Sequence, residues 1–165
     1  MIRAYVGLGA NLDGPAARLR RVLDELDAVP STRVVAHSPL YRSAPLGPPD
    51  QPDYINAVAA LDTGLEPLLL LHALQSLEAR HGRRRDGERW GPRTLDLDLL
   101  LYGDLMISTP ELTLPHPGLH GRPFVLYPLN DVAPAHTIPG HGSIDALLKR
   151  LPDSRIERLE IEPYE

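Results

Sequence analysis

Asp96 and Asp98, separated by a single leucine in RTLDLDLLLYGD, are the pair in this 165-residue chain best arranged to do chemistry. On a β-strand, side chains two residues apart leave the same face, with their Cα atoms roughly 6–7 Å apart. Leu95, Leu97, Leu99 and Leu101 then fall on the opposite face. Carboxylates on an otherwise apolar strand are costly unless a cation meets them. A hard divalent ion such as Mg²⁺ takes carboxylate oxygens, water and phosphate as ligands. The pair would also suit a solvated sheet edge or ion pairs with arginine.

The residues just upstream narrow that choice. Arg83, Arg84, Arg85, Arg89 and Arg93 surround Trp90. Guanidinium groups bind phosphate oxygens bidentately and stay charged at any working pH. Carboxylates for a metal beside arginines for phosphate are the two halves of a nucleoside-triphosphate site. No GxxxxGK[ST] loop occurs, and the glycines of Gly7-Leu8-Gly9 form no GxGxxG. Phosphate handling therefore falls to side chains and metal rather than to a glycine cradle.

A third constellation is SAPLGPPDQPDYIN, a proline-rich loop leading to Tyr54 and Asn56 on one face of the next strand. An aromatic plate beside an amide suits a flat heterocycle, one by stacking and the other by matching donors and acceptors. An ordinary half-buried tyrosine beside a strand-edge asparagine would read the same way. Phe124, the only phenylalanine, lies in HPGLHGRPFVLYPL with His116 and Arg122. Taken alone, Phe124 reads as core and His116 as a surface histidine.

These residues need elements to hold them. Ile2–Leu8 is an apolar strand, with Gly7, Gly9 and Asn11 turning into a helix that begins near Asp13 or Gly14. Leu19, Val22, Leu23 and Leu26 give that helix, Pro15–Ala28, its buried stripe. Thr32–Arg42 reads as one strand, Ser43–Asp53 as a loop and Tyr54–Leu61 as a strand. Thr63–Gly82 is a helix with Pro67 in its first turn and Gly82 as its cap. Arg83–Arg93 is a loop, expected to be open when empty and to close with its arginines over an anionic ligand. Leu95–Tyr102 is a strand. A turn and short helix follow within His116–Leu129, then a helix at Ser143–Leu151 and a last strand at Arg155–Ile161. The order βαββαβ, with decorations after it, predicts an α+β fold: a ferredoxin-like α/β sandwich with helices packed on an antiparallel sheet.

Composition sets the outer limits. The length and 42% apolar content favour one folded domain over residues 1–165. There are no cysteines, which excludes disulfides and thiolate metal sites. The first residues form neither a signal peptide nor a membrane span, so a cytoplasmic setting is expected. Arg80–Arg93 holds six arginines against Asp86 and Glu88, a basic island in a chain of net charge −5. Such an island suits a small polyanion better than nucleic acid.

GLGANL, RSAPLGPPDQPDYINAV, ERWGPRTLDLDLLLYG and LPHP followed by GRPFVLYPL, in this order and spacing, resemble the 6-hydroxymethyl-7,8-dihydropterin pyrophosphokinase family. The likeness runs from about residue 5 to residue 134 and is most specific at WGPRTLDLDLLLYG. It implies a Mg²⁺-dependent transfer of the terminal pyrophosphate of ATP to the pterin's hydroxymethyl oxygen, releasing AMP, in folate biosynthesis. Asp96 and Asp98 would hold two Mg²⁺ ions. Tyr54 and Phe124 would sandwich the pterin, with Trp90 closing over it. Asn56 and the backbone near Ser43 and Leu46 would read its polar edge. Leu71, Gln75, Glu78, Leu99, Leu112 and Thr113 would lie near the adenosine. Arg83, Arg85, Arg93, His116 and Arg122 would contact phosphates. Pro117 follows His116 where some relatives carry a tyrosine. The implied protein is a monomer that binds neither nucleic acid nor membrane.

Two other classes use some of the same residues. A metal-dependent phosphodiesterase would need further carboxylate or histidine ligands near Asp96. A non-catalytic RNA-binding module would use the Arg/Trp loop, leave both aspartates unexplained, and show steeply salt-dependent RNA affinity.

Overall fold

The computed structural model describes residues 1–12, 14–44, 50–82, 94–151 and 156–159. The first strand, β1, runs through Ile2–Ala10. Gly7 and Gly9 therefore lie inside the strand and not in a turn after it. Helix α1 (Pro15–Asp27) starts behind Gly14, whose positive φ of 67° is the left-handed conformation glycine tolerates best. Its buried stripe is Leu19, Val22, Leu23 and Leu26. Each such side chain stabilises the fold by about 1.5–3 kcal/mol on burial.

The single strand expected over Thr32–Arg42 is two strands, β2 (Thr32–His37) and β3 (Tyr41–Ser43). Pro39 cannot donate to a ladder, and Ser38 substitutes at the break. Its backbone N–H donates to Val58 O (2.8 Å), and its Oγ accepts from Val58 N–H (2.9 Å). Both short strands pair antiparallel with β4 (Tyr54–Thr63). β4 reaches two residues beyond the expected end, and α2 (Pro67–Arg80) starts correspondingly later. Gly82, at φ 84°, ends that helix as expected.

β5 (Asp96–Tyr102) is an edge strand paired with β1. After it come the β6–β7 hairpin (Ile107–Ser108 with Thr113–Leu114) and a 3₁₀ turn at Leu119–Gly121. Helix α3 (Pro123–Val132) and the β8–β9 hairpin (Thr137–Ile138 with Gly142–Ser143) follow. Helix α4 (Ile144–Arg150) is capped by Ser143 Oγ accepting from Ala146 N–H. The last strand is confined to β10 (Ile156–Arg158) among the described residues. The main sheet runs β10-β3-β4-β1-β5, with β2 beside β3's lane on β4. This is the strand order of the expected ferredoxin-like α+β sandwich.

The sheet has two covered faces. On one, Val6, Leu8, Ala57, Leu97 and Leu99 meet Leu23 and Leu26 of α1 and Leu70, Leu74 and Leu77 of α2. On the other, Tyr5, Val58, Ala60, Leu100 and Leu101 meet Leu126 and Leu129 of α3 and Ile144 of α4. Leu101 thus lies in the opposite layer from Leu97 and Leu99, contrary to the period-2 reading. The register passes from Val6↔Leu99 to Tyr5↔Leu101, leaving Leu100 as the extra residue of a β-bulge. Among the described residues no helix is long and apolar enough to cross a membrane.

Candidate active site

The sheet face under α3 carries the candidate residues, and register brings them into rows. Tyr41 pairs with Asn56, Asn56 with Gly9, and Gly9 with Asp96. One step along, Val58 pairs with Gly7 and Gly7 with Asp98. Both aspartates therefore leave the same face of β5, as their spacing predicts. Between them and the Asn56 strand runs a lane, β1, whose two residues at this level have no side chains. A Cβ on Gly9 would lie 3.1 Å from Asn56 Oδ1 and 3.9 Å from Tyr54 Cδ1. The two glycines keep the floor clear between an amide and a carboxylate pair.

Asn56 is buried with a fixed orientation. Its Nδ2 donates to Ser43 Oγ (2.8 Å) across the β3–β4 pair. The loop before β4 is tied to the end of β1, since Asn11 Nδ2 donates to Gln51 Oε1 (2.9 Å) and Pro52 O (3.0 Å). Tyr41, which reads from sequence as an ordinary strand residue, donates its buried hydroxyl to Asp131 Oδ2 on α3. Burial, then the Asp131 bond, pushes the Tyr41 phenol well above its ordinary pKa, so it remains a neutral donor.

His116 lies nearer the aspartates than its place in the sequence suggests. Its backbone N–H donates to Leu100 O (2.9 Å), which anchors the segment after the cis Leu114–Pro115 bond on β5. Gly118 N–H donates to His116 Nδ1 (3.1 Å), so Nδ1 holds a lone pair and the proton sits on Nε2. Nε2 is 3.6 Å from Asp98 Oδ1. Arg122, at the start of α3, lies with its guanidinium carbon 6.0 Å from the Phe124 ring centroid. That guanidinium occupies the space a side chain at residue 118 would fill, since a Cβ on Gly118 would be 2.3 Å from it. Phe124 packs at the border of the α3 layer, on the same side of the sheet as Tyr54 and Asn56.

The residues implicated for adenosine gather elsewhere. Leu71, Gln75 and Glu78 share one stripe of α2 by helical spacing. Leu99 and Leu112 belong to the core on that side, with Leu71 packed against it. Thr113 lies in β7 beside β5. Glu78 is 2% exposed and its Oε2 accepts from Leu97 N–H (2.8 Å). One face of β5 thus bears the aspartates and the other faces this α2 cluster. Arg83, Arg85, Trp90, Arg93 and Leu46 lie outside the described residues, as does the expected closure of the arginine loop.

The donor set fits Mg²⁺. Asp96 and Asp98 are both partly exposed, and Asp98 retains 35% of its side-chain surface. Among the described residues no cluster of three or more His, Cys, Asp or Glu forms a closed metal cage. Two hard carboxylates with room for water and phosphate match the way Mg²⁺ is bound in phosphoryl-transfer sites.

Fold and face together define a small α+β protein with two partly exposed carboxylates set across a bare strand from an oriented amide. A profile described as 7,8-dihydro-6-hydroxymethylpterin-pyrophosphokinase matches residues 5–134. A 2-amino-4-hydroxy-6-hydroxymethyldihydropteridine pyrophosphokinase from Pseudomonas aeruginosa is 52% identical over 157 residues, covering 95% of this chain and 96% of that protein. The protein of the same name from Haemophilus influenzae is 45% identical, covering 96% and 99%. The crystal structure of Plasmodium falciparum HPPK-DHPS wild type with pteroate superposes with a TM-score of 0.72 over 90% of this chain. At 14% identity that likeness shows the fold alone, and this chain spans 44% of that longer one. The chain belongs to the 7,8-dihydro-6-hydroxymethylpterin-pyrophosphokinase family. Its reaction is pyrophosphoryl transfer to a hydroxymethyl dihydropterin in folate synthesis, with ATP as co-substrate.

Proposed function

We propose that Asp96 and Asp98 form the metal-binding centre of this transfer, and that the pterin lies over Gly9 with its hydroxymethyl group directed toward them. The observation that carries the reading is the register row Asn56–Gly9–Asp96. It sets an oriented amide and a carboxylate on either side of a bare strand. Tyr54 and Phe124 supply the stacking surfaces. Asn56, Ser43 and the backbone near Leu46 match the polar edge of the ring.

ATP lies along the open edge of β5. Its adenosine meets Leu71, Gln75, Glu78, Leu99, Leu112 and Thr113 on the α2 side, and its triphosphate passes to the aspartate face. Arg122 and His116 meet the phosphates there, joined by Arg83, Arg85 and Arg93, while Trp90 covers the pterin.

The pterin alcohol oxygen forms a bond to the β-phosphorus as the bond from that phosphorus to the α-phosphate oxygen breaks. AMP departs and the alcohol proton passes to water. Two Mg²⁺ ions bound by Asp96 and Asp98 would supply charge neutralisation at the phosphates and a lowered alcohol pKa. His116 serves as a donor rather than a base, because its only unprotonated nitrogen is taken by Gly118. The chain's own contribution is positioning and electrostatic stabilisation, the two effects that account for most of the catalysis of phosphoryl transfer.

Asp96→Ala and Asp98→Ala test this directly. Each is expected to lower turnover by more than the ~100-fold typical of losing a residue behind a metal ligand, with unchanged circular dichroism. Turnover equal to the unsubstituted enzyme at saturating Mg²⁺ would exclude the proposed centre.

A further inference from the structure

We propose that the Tyr41–Asp131 hydrogen bond is a positioning latch that sets the width of the pterin slot. The inference rests on the pterin placement given above and adds a pair that contacts neither substrate. β3 is only three residues long, yet its site-facing side chains do two jobs. Ser43 orients the Asn56 amide from within the sheet. Tyr41, in register with Asn56, reaches up to Asp131 on α3. Phe124 and Asp131 are seven residues apart, hence on one side of α3. The helix side that brings the Phe124 ring to the site is thus the side held to the sheet at its other end.

α3 needs such a tie. It spans ten residues and contains Pro128, which has no N–H to donate to the Phe124 carbonyl. Apolar packing of Val125, Leu126 and Leu129 presses the helix onto the sheet but is not directional. A hydrogen bond has an angle and a length, and this one joins the floor of the slot to its roof. Asp131 is placed to affect the pterin more than ATP, whose adenosine contacts on α2, β5 and β7 lie away from it, with Arg122 at the start of α3 the one proposed phosphate contact that shares the helix.

The test uses the full-length enzyme with Mg²⁺, an inert ATP analogue and 6-hydroxymethyl-7,8-dihydropterin, with each ligand titrated by calorimetry. Tyr41→Phe is expected to raise the pterin dissociation constant roughly three- to tenfold, the factor a typical net hydrogen-bond contribution commands. Affinity for the ATP analogue should fall by less than that for the pterin. Asp131→Asn keeps an acceptor and should bind pterin close to normally, whereas Asp131→Leu should behave like Tyr41→Phe. Phe124→Ala serves as the reference for the slot itself. If Phe124→Ala loses pterin affinity and Tyr41→Phe does not, the latch is wrong and the slot stands. Equal weakening of both ligands by Tyr41→Phe would mark the bond as a general structural tie and overturn the latch. If Phe124→Ala binds pterin normally, the slot and the latch fall together.

Discussion

A methyl group on Gly9 would press on Asn56 Oδ1 at 3.1 Å, and Asn56 cannot retreat without giving up its bond to Ser43. Gly9→Ala should therefore weaken pterin binding roughly three- to tenfold through the misplaced amide, about the effect of one lost hydrogen bond. ATP affinity should hold, and calorimetry with each ligand separately distinguishes the two. Wild-type pterin affinity in Gly9→Ala would mean that the floor over β1 is not where the pterin rests. At this scale the sequence was legible where chemistry follows from spacing. Asp96 and Asp98 share a face because the strand repeat is two, and Tyr54 and Asn56 do so for the same reason. It misled where residue type is ambiguous. Gly7 and Gly9 carry the statistics of a turn, whereas the structure uses them inside a strand for the side chains they lack. Taken alone His116 reads as a surface residue, because its approach to Asp98 depends on the bond from its N–H to Leu100 O between two elements, which no local pattern encodes.

Among the elements, β5 shows how an edge strand can be held in place at a site. Its Leu97 N–H is taken by the buried carboxylate of Glu78, which satisfies an edge donor midway between the two aspartates. Glu78→Ala leaves that N–H without its partner and is expected to cost about 1–3 kcal/mol in urea-induced unfolding. Glu78→Gln, which keeps an oxygen acceptor, should cost less. A loss as large in Glu78→Gln as in Glu78→Ala would show that the charge, not the acceptor, matters there. A similar tie joins the two helices on that side. Arg18 Nη1 donates to His81 Nδ1 (2.8 Å), so His81 donates from Nε2 to Glu25 (2.6 Å). The helices themselves were readable from their apolar stripes and prolines. The Leu99-Leu100-Leu101 run was not, because three consecutive leucines fit either face and only pairing with β1 reveals the bulge. The break between β2 and β3 was hidden for a related reason, since Ser38 bonds to Val58 in place of a regular ladder. The two short hairpins have too few residues to show a period at all.

For the whole molecule, the consequence of the strand order is that, on the proposed reading, the edge strand β5 serves two ligands. β5 at that edge offers aspartates to one face and leucines to the other, while β1, β4 and β3 extend the aspartate face toward Tyr54, Asn56 and Ser43. This arrangement explains why the motifs are scattered between residues 5 and 134 and why none alone resembles a nucleotide-binding loop. The ferredoxin-like order was legible because each long element has a clear period and the decorations come last. Transfer of a pyrophosphoryl group as a unit on this face is tested most directly by ³¹P NMR of the enzyme turning over Mg²⁺, ATP and 6-hydroxymethyl-7,8-dihydropterin. AMP and the pterin diphosphate are expected in equal amounts, with formation of both abolished in Asp98→Ala. Accumulation of ADP with a pterin monophosphate, or of free phosphate, would contradict transfer as a unit.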